Sequence, residues 1–257
     1  MELKKHWISF STIVRKEVIR FSRIWTQTLL PPVITQSLYF IIFGGFIGSQ
    51  ISDINGISYM AFIIPGLIMM TIINNSYSNV VSSFFGAKFQ RSIEELMVSP
   101  TSNWTIIAGY STGGILRALI TGFLVYLVAI FFAAPQIYNL TLIIVFAVLT
   151  ALVFALAGLI NSIFATKFDD IAIIPTFVLT PLTYLGGVFY SIKDLPEFWQ
   201  KVSMFNPILY MVDGLRFGFY GQSDFSPTHS LLMLLIFSII LLLTSYIILK
   251  KGYGLKS

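Results

Sequence analysis

Long runs of apolar residues alternate with shorter polar segments along most of the chain. A helix rises about 1.5 Å per residue, so about 20 apolar residues are needed to cross the roughly 30 Å hydrocarbon core of a bilayer. Six runs reach that length and predict an all-α polytopic membrane protein. The predicted spans are Ile24–Gly48, Ser58–Phe84, Thr105–Ala133, Leu140–Ala165, Ile171–Tyr190 and Pro227–Leu249.

The composition agrees with a protein that faces lipid over most of its surface. Only 11% of the 257 residues are charged, against about 25% in a typical soluble domain. The absence of cysteine from the sequence excludes a disulfide scaffold and a zinc–thiolate site. The length suits one transmembrane domain over residues 1–257 and is too short for an additional soluble enzyme.

The distribution of basic residues predicts the orientation of the spans. Loops on the cytoplasmic side of a membrane are enriched in lysine and arginine. With the N-terminus inside, most of the 16 lysine and arginine residues fall in cytoplasmic segments. Both termini are therefore predicted to be cytoplasmic. The net charge of +5 follows membrane topology and does not indicate a nucleic-acid partner.

Residues 1–23 have the pattern of an amphipathic helix. Such a helix is expected to lie in the inner headgroup layer and to contact membrane lipids, with basic side chains toward anionic headgroups. The alternative is a helix that only anchors the first span. At about 100° per residue, one face collects the apolar residues Leu3, Trp7, Phe10, Val14, Val18, Phe21 and Trp25.

Residues 85–104, between the second and third spans, are predicted to be cytoplasmic. Ser92 and Glu95 have the spacing of a capping box, and Pro100 ends the helix that they would start. This short helix suits a socket on another protein, although it could also fold back on its own bundle. Its predicted apolar ridge consists of Phe89, Ile93, Leu96 and Met97.

Residues 191–226, before the sixth span, are interrupted by Pro196 and Pro207. Proline disfavours a helical residue before it and has no amide proton to donate. The apolar pieces between the prolines, Glu197–Phe205 and Ile208–Gly218, are too short to cross a bilayer. They predict a broken re-entrant segment that dips into the membrane from outside. The alternative is a cap that lies flat on the outer surface.

Glycines four residues apart indicate where helices approach each other closely. Gly44 and Gly48 stand in the first span, and Gly109 and Gly113 stand in the third. Both pairs have the small-x-x-x-small spacing of packed transmembrane helices. We expect close helix packing at each.

The six spans with both ends inside, the segment FQRSIEELMVSPTS and the broken segment LPEFW…NPILYMVDGLR together resemble ABC-2-type transporter permeases. That resemblance implies a homodimer in the bacterial inner membrane that works with two copies of a separate ABC ATPase. It also implies that residues 85–104 couple the permease to that ATPase and that transport is outward. The implied coupling residues are Phe89, Arg91, Ile93, Glu94, Glu95 and Leu96.

The sequence contains no G-x-x-x-x-G-K-[ST] loop, so it cannot build a Walker-type phosphate site with its lysine. The resemblance accordingly implies that ATP and magnesium bind to the partner ATPase and that this chain binds no cofactor. The chain itself is predicted not to be an enzyme.

Polar residues within the spans are candidates for lining a transport pathway. Each could instead hydrogen-bond to a neighbouring helix, and Arg117 could reach the interface or bond to a carbonyl. The candidates are Asn74, Asn75, Tyr77 and Asn79 in the second span, Arg117 in the third, and Thr176, Thr180 and Tyr184 in the fifth.

Two other function classes have weaker support. An ion-coupled secondary transporter generally needs carboxylates or histidine inside the membrane, and only Asp213 qualifies, with Arg216 near enough to neutralise it. An intramembrane enzyme would need motifs such as H-E-x-x-H or G-x-S-x-G, which the sequence lacks. The sequence therefore predicts the permease subunit of an ATP-driven exporter for an amphipathic or lipid-like substrate.

Overall fold

The computed structural model describes residues 2–51, 53–54 and 56–254 and folds them into a bundle of helices. Extended pairing within those ranges is limited to one isolated bridge between Ile54 and Ile57, in agreement with the predicted all-α class. The α-helices are α1 (Glu2–Arg23), α2 (Trp25–Thr28), α3 (Leu30–Tyr39), α4 (Tyr59–Phe89), α5 (Ser92–Val98), α6 (Asn103–Phe132), α7 (Leu140–Phe164), α8 (Asp170–Ile174), α9 (Thr180–Tyr184), α10 (Glu197–Met204), α11 (Pro207–Tyr220) and α12 (Pro227–Lys251).

Helix α4 is the centre of the bundle, with α6 and α7 packed along its sides. It begins after Ser58, whose Oγ accepts the amide proton of Ala61 at 3.4 Å. The side chains of Ile63, Leu67 and Met69 are fully buried. A helix that is apolar on all sides is stable only when it is surrounded by protein or lipid, and here neighbouring helices cover most of α4.

The first predicted span is helical from Trp25 to Ile47 but changes geometry twice. Pro31 and Pro32 lie in the first turn of α3, where the missing amide proton removes no intrahelical hydrogen bond. Residues 40–47 continue the span as a π-helix. Few of its residues are buried, so this span lies at the periphery of the single chain.

Five helices in the described part of the chain are long and apolar enough to cross a membrane. They correspond to five of the six predicted spans. The remaining prediction, Ile171–Tyr190, falls on the shorter apolar helix Asp170–Tyr184, which consists of α8, the π-helix Pro175–Leu179 and α9. The count of six therefore stays a prediction. The five helices are Trp25–Ile47, Tyr59–Phe89, Asn103–Phe132, Leu140–Phe164 and Pro227–Lys251.

The predicted N-terminal helix forms as α1 and lies against α6. Its buried stripe includes Ile13 and Phe21, whereas Trp7 is 66% exposed and Trp25 is also exposed. The side chain of Leu3 lies outside the described residues. The predicted apolar face therefore divides, because Phe21 packs on the bundle, Trp7 remains exposed on α1, and Trp25 lies beyond its end in α2.

Helices α1 and α6 approach closely because Gly109 and Gly113 have no side chains. A Cβ atom at Gly109 would lie 2.7 Å from Cγ2 of Ile13, and one at Gly113 would lie 2.5 Å from Cβ of Glu17. Both distances are shorter than real Cβ contacts. The predicted close packing at this glycine pair is confirmed, and its partner is α1.

The breaks predicted at Pro196 and Pro207 are confirmed, since α10 follows the first proline and α11 begins at the second. The Oδ1 atom of Asn206 caps α11 by accepting the amide proton of Ile208 at 3.0 Å. Helix α11 is buried along most of its length and packs on α7, α12 and α4. Helix α10 instead leaves Phe198 exposed.

Candidate functional site

The predicted coupling segment forms the short helix α5, joined to α4 by a tight turn. Arg91 in that turn has a φ of 60°, a left-handed conformation that is uncommon for residues other than glycine. The predicted capping box is wrong. Ser92 is already the first residue of α5, and its hydroxyl donates to the carbonyl of Ala87 at 3.2 Å, so Arg91 occupies the N-cap position.

The six predicted coupling residues divide between two sides of α5. Ile93 is only 2% exposed and belongs to an apolar cluster with Ile13 of α1 and Tyr110 of α6. Three members of the predicted apolar ridge face the bundle together, because Leu96 and Met97 pack against the same cluster as Ile93, whereas Phe89 is exposed. The residues left on the outer side are Phe89, Arg91, Glu94 and Glu95, with Leu96 half-buried.

The junction between α4 and α5 is tied to the connection that follows α7. The Nζ atom of Lys88 donates to the carbonyls of Ile163 at 2.6 Å and Ala165 at 2.8 Å. The ring centroids of Phe89 and Phe168 lie 5.0 Å apart in an edge-on arrangement. Because the last carbonyls of a helix have no intrahelical donor, a lysine in this position satisfies them. Because the end of α4 contacts the end of α7 at this junction, a displacement of α5 would affect both α4 and α7.

A buried carboxylate joins α1 to α4. Glu17 is fully buried; its Oε2 accepts from Nδ2 of Asn79 at 3.2 Å and from Nη2 of Arg20 at 3.0 Å, and its Oε1 accepts from the hydroxyl of Ser83. Arg20 Nη2 also donates to Oδ1 of Asn79 at 2.8 Å. These partners compensate a charge that would be costly to bury alone. The network holds α1 against α4.

A polar cavity of about 310 Å³ lies between the first span, α4 and α6. Three of the predicted pathway residues line it, namely Asn74, Asn75 and Arg117. The structure therefore joins polar residues of the second and third spans at one cavity and adds the start of the first span. The other lining residues are Gln27, Thr28, Pro31, Pro32, Thr35, Gln36, Met70, Thr71 and Ser78.

Arg117 lies at the wall of this cavity and also bonds to a carbonyl. Its Nη2 donates to the carbonyl oxygen of Thr28 at 3.3 Å. The two interpretations of Arg117, a carbonyl bond and a lining position, are therefore compatible in this structure.

The other predicted pathway residues are not at the cavity. Tyr77 is fully buried and its hydroxyl accepts from Nδ2 of Asn161 at 2.7 Å, while Asn79 belongs to the Glu17 network. These two residues hydrogen-bond to neighbouring helices. The structure places the three fifth-span candidates on the exposed surface of the single chain: Thr176, Thr180 and Tyr184.

A second polar cluster lies at the opposite end of the bundle. Asp213 accepts the amide protons of Asp224 at 2.8 Å and Phe225 at 3.0 Å, whereas Arg216 donates to the carbonyl of Gly187 at 2.7 Å. No direct ion pair joins Asp213 and Arg216 among the described residues.

Lys193 and Asp224 form an ion pair close to this cluster, outside the spans. The hydrogen bond from Lys193 to Asp224 and the negative charge of Asp224 raise the pKa of Lys193.

The family model described as ABC-2 type transporter matches residues 8–220 of the chain. The chain belongs to this family. It is thus a transmembrane subunit of an ABC transporter, and the matched residues run from α1 to the last residue of α11. The predicted family resemblance is confirmed.

Individual relatives of this permease agree with the assignment. It is 53% identical over 252 residues to the inner membrane transport permease YadH of Escherichia coli (strain K12), with 98% of each chain covered. It is 21% identical over 245 residues to nodulation protein J of Rhizobium leguminosarum bv. viciae, with 95% of each chain covered. The likeness to a transport permease therefore extends over nearly the whole chain.

Glu17 of the permease is a buried site residue that was not predicted from the sequence. Glu17 lies four residues from both Ile13 and Phe21. This spacing places its carboxylate on the same helical face as two apolar residues, and it could have indicated burial. Its partners Asn79 and Ser83 are more than sixty positions away along the chain. Spacing within α1 could indicate burial, but only the fold identifies those partners.

Proposed function

We propose that this permease is the membrane subunit of an ATP-driven exporter that moves an amphipathic or lipid-like substrate outward. Two copies would form a homodimer in the bacterial inner membrane and bind two copies of a separate ABC ATPase that holds ATP and magnesium. In this arrangement both termini are cytoplasmic and the predicted fifth span, Ile171–Tyr190, provides the remaining crossing.

The observation that supports the proposal is that α5 exposes acidic and apolar residues on the side that faces away from the bundle. Glu94 and Glu95 are exposed there, and Val98 is 85% exposed, although the same helix is held on the bundle by buried Ile93. A fixed helix with an acidic and apolar outer side suits a groove on a partner protein. The proposed partner surface is therefore basic at its rim and apolar at its centre.

The cavity supports an amphipathic substrate rather than a small ion. Its wall carries amides, hydroxyls and one guanidinium, while Ile34 and Leu38 of the neighbouring helix α3 are exposed. A molecule with a polar head and an apolar tail could use both environments at once. Its pathway is proposed to run beside the first, second and fifth spans of the two subunits.

An ion-coupled secondary transporter is the alternative function. It draws some support from the buried carboxylates of Glu17 and Asp213. Each carboxylate, however, already accepts hydrogen bonds from the protein, and neither lines the cavity beside Arg117. Uphill flux driven by an ion gradient in vesicles that contain the permease alone would contradict the ATP-driven proposal.

The direct test reverses the charges on α5. We expect the double substitution Glu94→Lys and Glu95→Lys to abolish transport and to uncouple ATP hydrolysis in the reconstituted complex, because an acidic docking surface becomes basic. Thermal stability of the permease should change little, since both side chains are exposed. The matched control is Glu197→Lys, an exposed glutamate on α10. Unchanged transport in the double variant would contradict the docking assignment.

A further inference from the structure

Arg117 lies directly beyond the contact between α1 and α6. It follows Gly113 by one helical turn, and Gly113 is the residue against which Glu17 of the interfacial helix packs. One turn of four residues advances about 6 Å along the helix axis. The guanidinium is thus only slightly deeper than a helix predicted to lie among the inner headgroups, where a lipid could present its polar end to the cavity.

The guanidinium is incompletely satisfied by the protein. The Arg117 side chain makes one hydrogen bond among the described residues, at 3.3 Å to the carbonyl of Thr28, and its buried Nε has no partner there. The cavity lining in the described part of the chain contains neither aspartate nor glutamate. A guanidinium presents five donors in a planar arrangement that matches an oxyanion. An anion from outside the chain would therefore supply the missing partner.

The rest of the wall offers acceptors beside this donor. The Nδ2 atoms of Asn74 and Asn75 donate to the carbonyls of Met70 at 2.9 Å and Thr71 at 3.0 Å. Their Oδ1 atoms accept from no residue in the described ranges, so they can accept hydroxyl protons from a bound molecule. The wall thus combines one cation with carboxamide oxygens, which suits a headgroup that carries both an oxyanion and hydroxyl groups.

We propose that this cavity binds the anionic headgroup of the amphiphile that the permease transports. Arg117 pairs with the headgroup oxyanion, the carboxamides of Asn74 and Asn75 accept from its hydroxyl groups, and the acyl chains lie along exposed Ile34 and Leu38 of α3. This inference rests on the proposed function and narrows its substrate class from amphiphiles in general to anionic lipids with hydroxylated headgroups.

The test compares two lipid probes on the purified permease in detergent micelles. Fluorescent phosphatidylglycerol carries both the phosphate anion and hydroxyl groups, whereas fluorescent phosphatidylcholine carries the same phosphate with a choline cation that offsets its charge and has no hydroxyl group in its headgroup. We expect wild type to bind phosphatidylglycerol more tightly. Arg117→Gln should weaken phosphatidylglycerol binding about tenfold, as expected for loss of a charge-assisted bidentate contact, and should weaken phosphatidylcholine binding less, because choline already offsets the charge of its phosphate. Arg117→Lys should recover part of the loss.

Three controls make the result specific. Lys201→Gln removes an exposed cation of α10 and should leave the lipid preference intact. Soluble glycerol phosphate should compete poorly, and equal competition would overturn the assignment to a lipid. If Arg117→Gln does not fold, Asn74→Leu provides a second variant at the same wall, and it should weaken phosphatidylglycerol binding as well.

The outcome can be separated from that of the proposed function. Unchanged phosphatidylglycerol preference in Arg117→Gln would overturn the headgroup site even if the wild-type complex still couples ATP hydrolysis to transport. Conversely, a permease that binds phosphatidylglycerol through Arg117 but associates with no ATPase would retain the binding site and refute the exporter.

Discussion

Glu17 of the N-terminal helix and Asn79 of the central helix meet in the interior of the bundle, with the Nδ2 of Asn79 3.2 Å from the Oε2 of Glu17. Both side chains are fully buried. A helix that only rested on the membrane surface would not need a buried hydrogen bond of this kind. The contact indicates that α1 is packed into the helical bundle and is held against α4.

We predict that Glu17→Ala destabilises the permease by about 3 kcal/mol, because it leaves Asn79, Ser83 and Arg20 without their shared acceptor. Glu17→Gln should cost less, since its amide oxygen can still accept. Thermal unfolding in detergent measures both effects. Arg15→Ala, an exposed neighbour on α1, is the control and should have little effect. Equal stability of the Glu17→Ala and Arg15→Ala variants would contradict a structural role for the network.

The glycine contact between α1 and α6 gives a second prediction. Gly113→Ala places a methyl group 2.5 Å from Cβ of Glu17, and such overpacking typically costs about 1–3 kcal/mol. The matched control is Gly86→Ala in α4, where a Cβ would meet nothing within 4 Å. That control should be neutral or stabilising by up to about 1 kcal/mol, because alanine favours a helix more than glycine does. We expect Gly113→Ala to melt at a lower temperature than Gly86→Ala. If Gly113→Ala instead melts at the higher temperature, α1 is not packed against Gly113.

The spans and the outer helix breaks could be predicted from sequence because each depends on neighbouring residues. Runs of apolar residues define α4, α6, α7 and α12. Pro207 sets the start of α11 through its own backbone geometry, whichever helices α11 packs against. These features need no knowledge of the rest of the fold. The predicted boundaries therefore agree closely with the observed helices.

The cavity could be predicted only in part, because membership in it depends on which side of a helix faces which neighbour. Asn75 and Tyr77 are two positions apart on α4 and so point about 200° apart around the helix axis; the first lines the cavity and the second packs against Asn161. Polarity alone does not distinguish them. The same limit applies to Ile93, whose burial against α1 and α6 depends on contacts distant in sequence.

The hydrogen bonds between the end of α4 and the end of α7 lead to a third prediction. Lys88→Met removes both hydrogen bonds to the carbonyls of Ile163 and Ala165, so the end of α7 should fray. Hydrogen exchange of the amides in residues 159–166 should become faster. Lys167→Met changes a nearby exposed lysine and should leave those exchange rates unchanged. Equal exchange in wild type and Lys88→Met would mean that the lysine does not stabilise this helix end.

The absence of native cysteine allows the cavity to be mapped by single cysteines. Asn74→Cys and Asn75→Cys should react with a water-soluble thiol reagent applied from the cytoplasmic side, because both positions line the polar cavity. Tyr77→Cys is the matched control on the same helix, and it should react much more slowly since Tyr77 is fully buried against α7. Labelling rates measured by mass spectrometry compare the three positions. Faster labelling at position 77 than at position 75 would contradict this assignment. Water would then reach the side of α4 that faces α7, and the transport pathway would have to lie on that side.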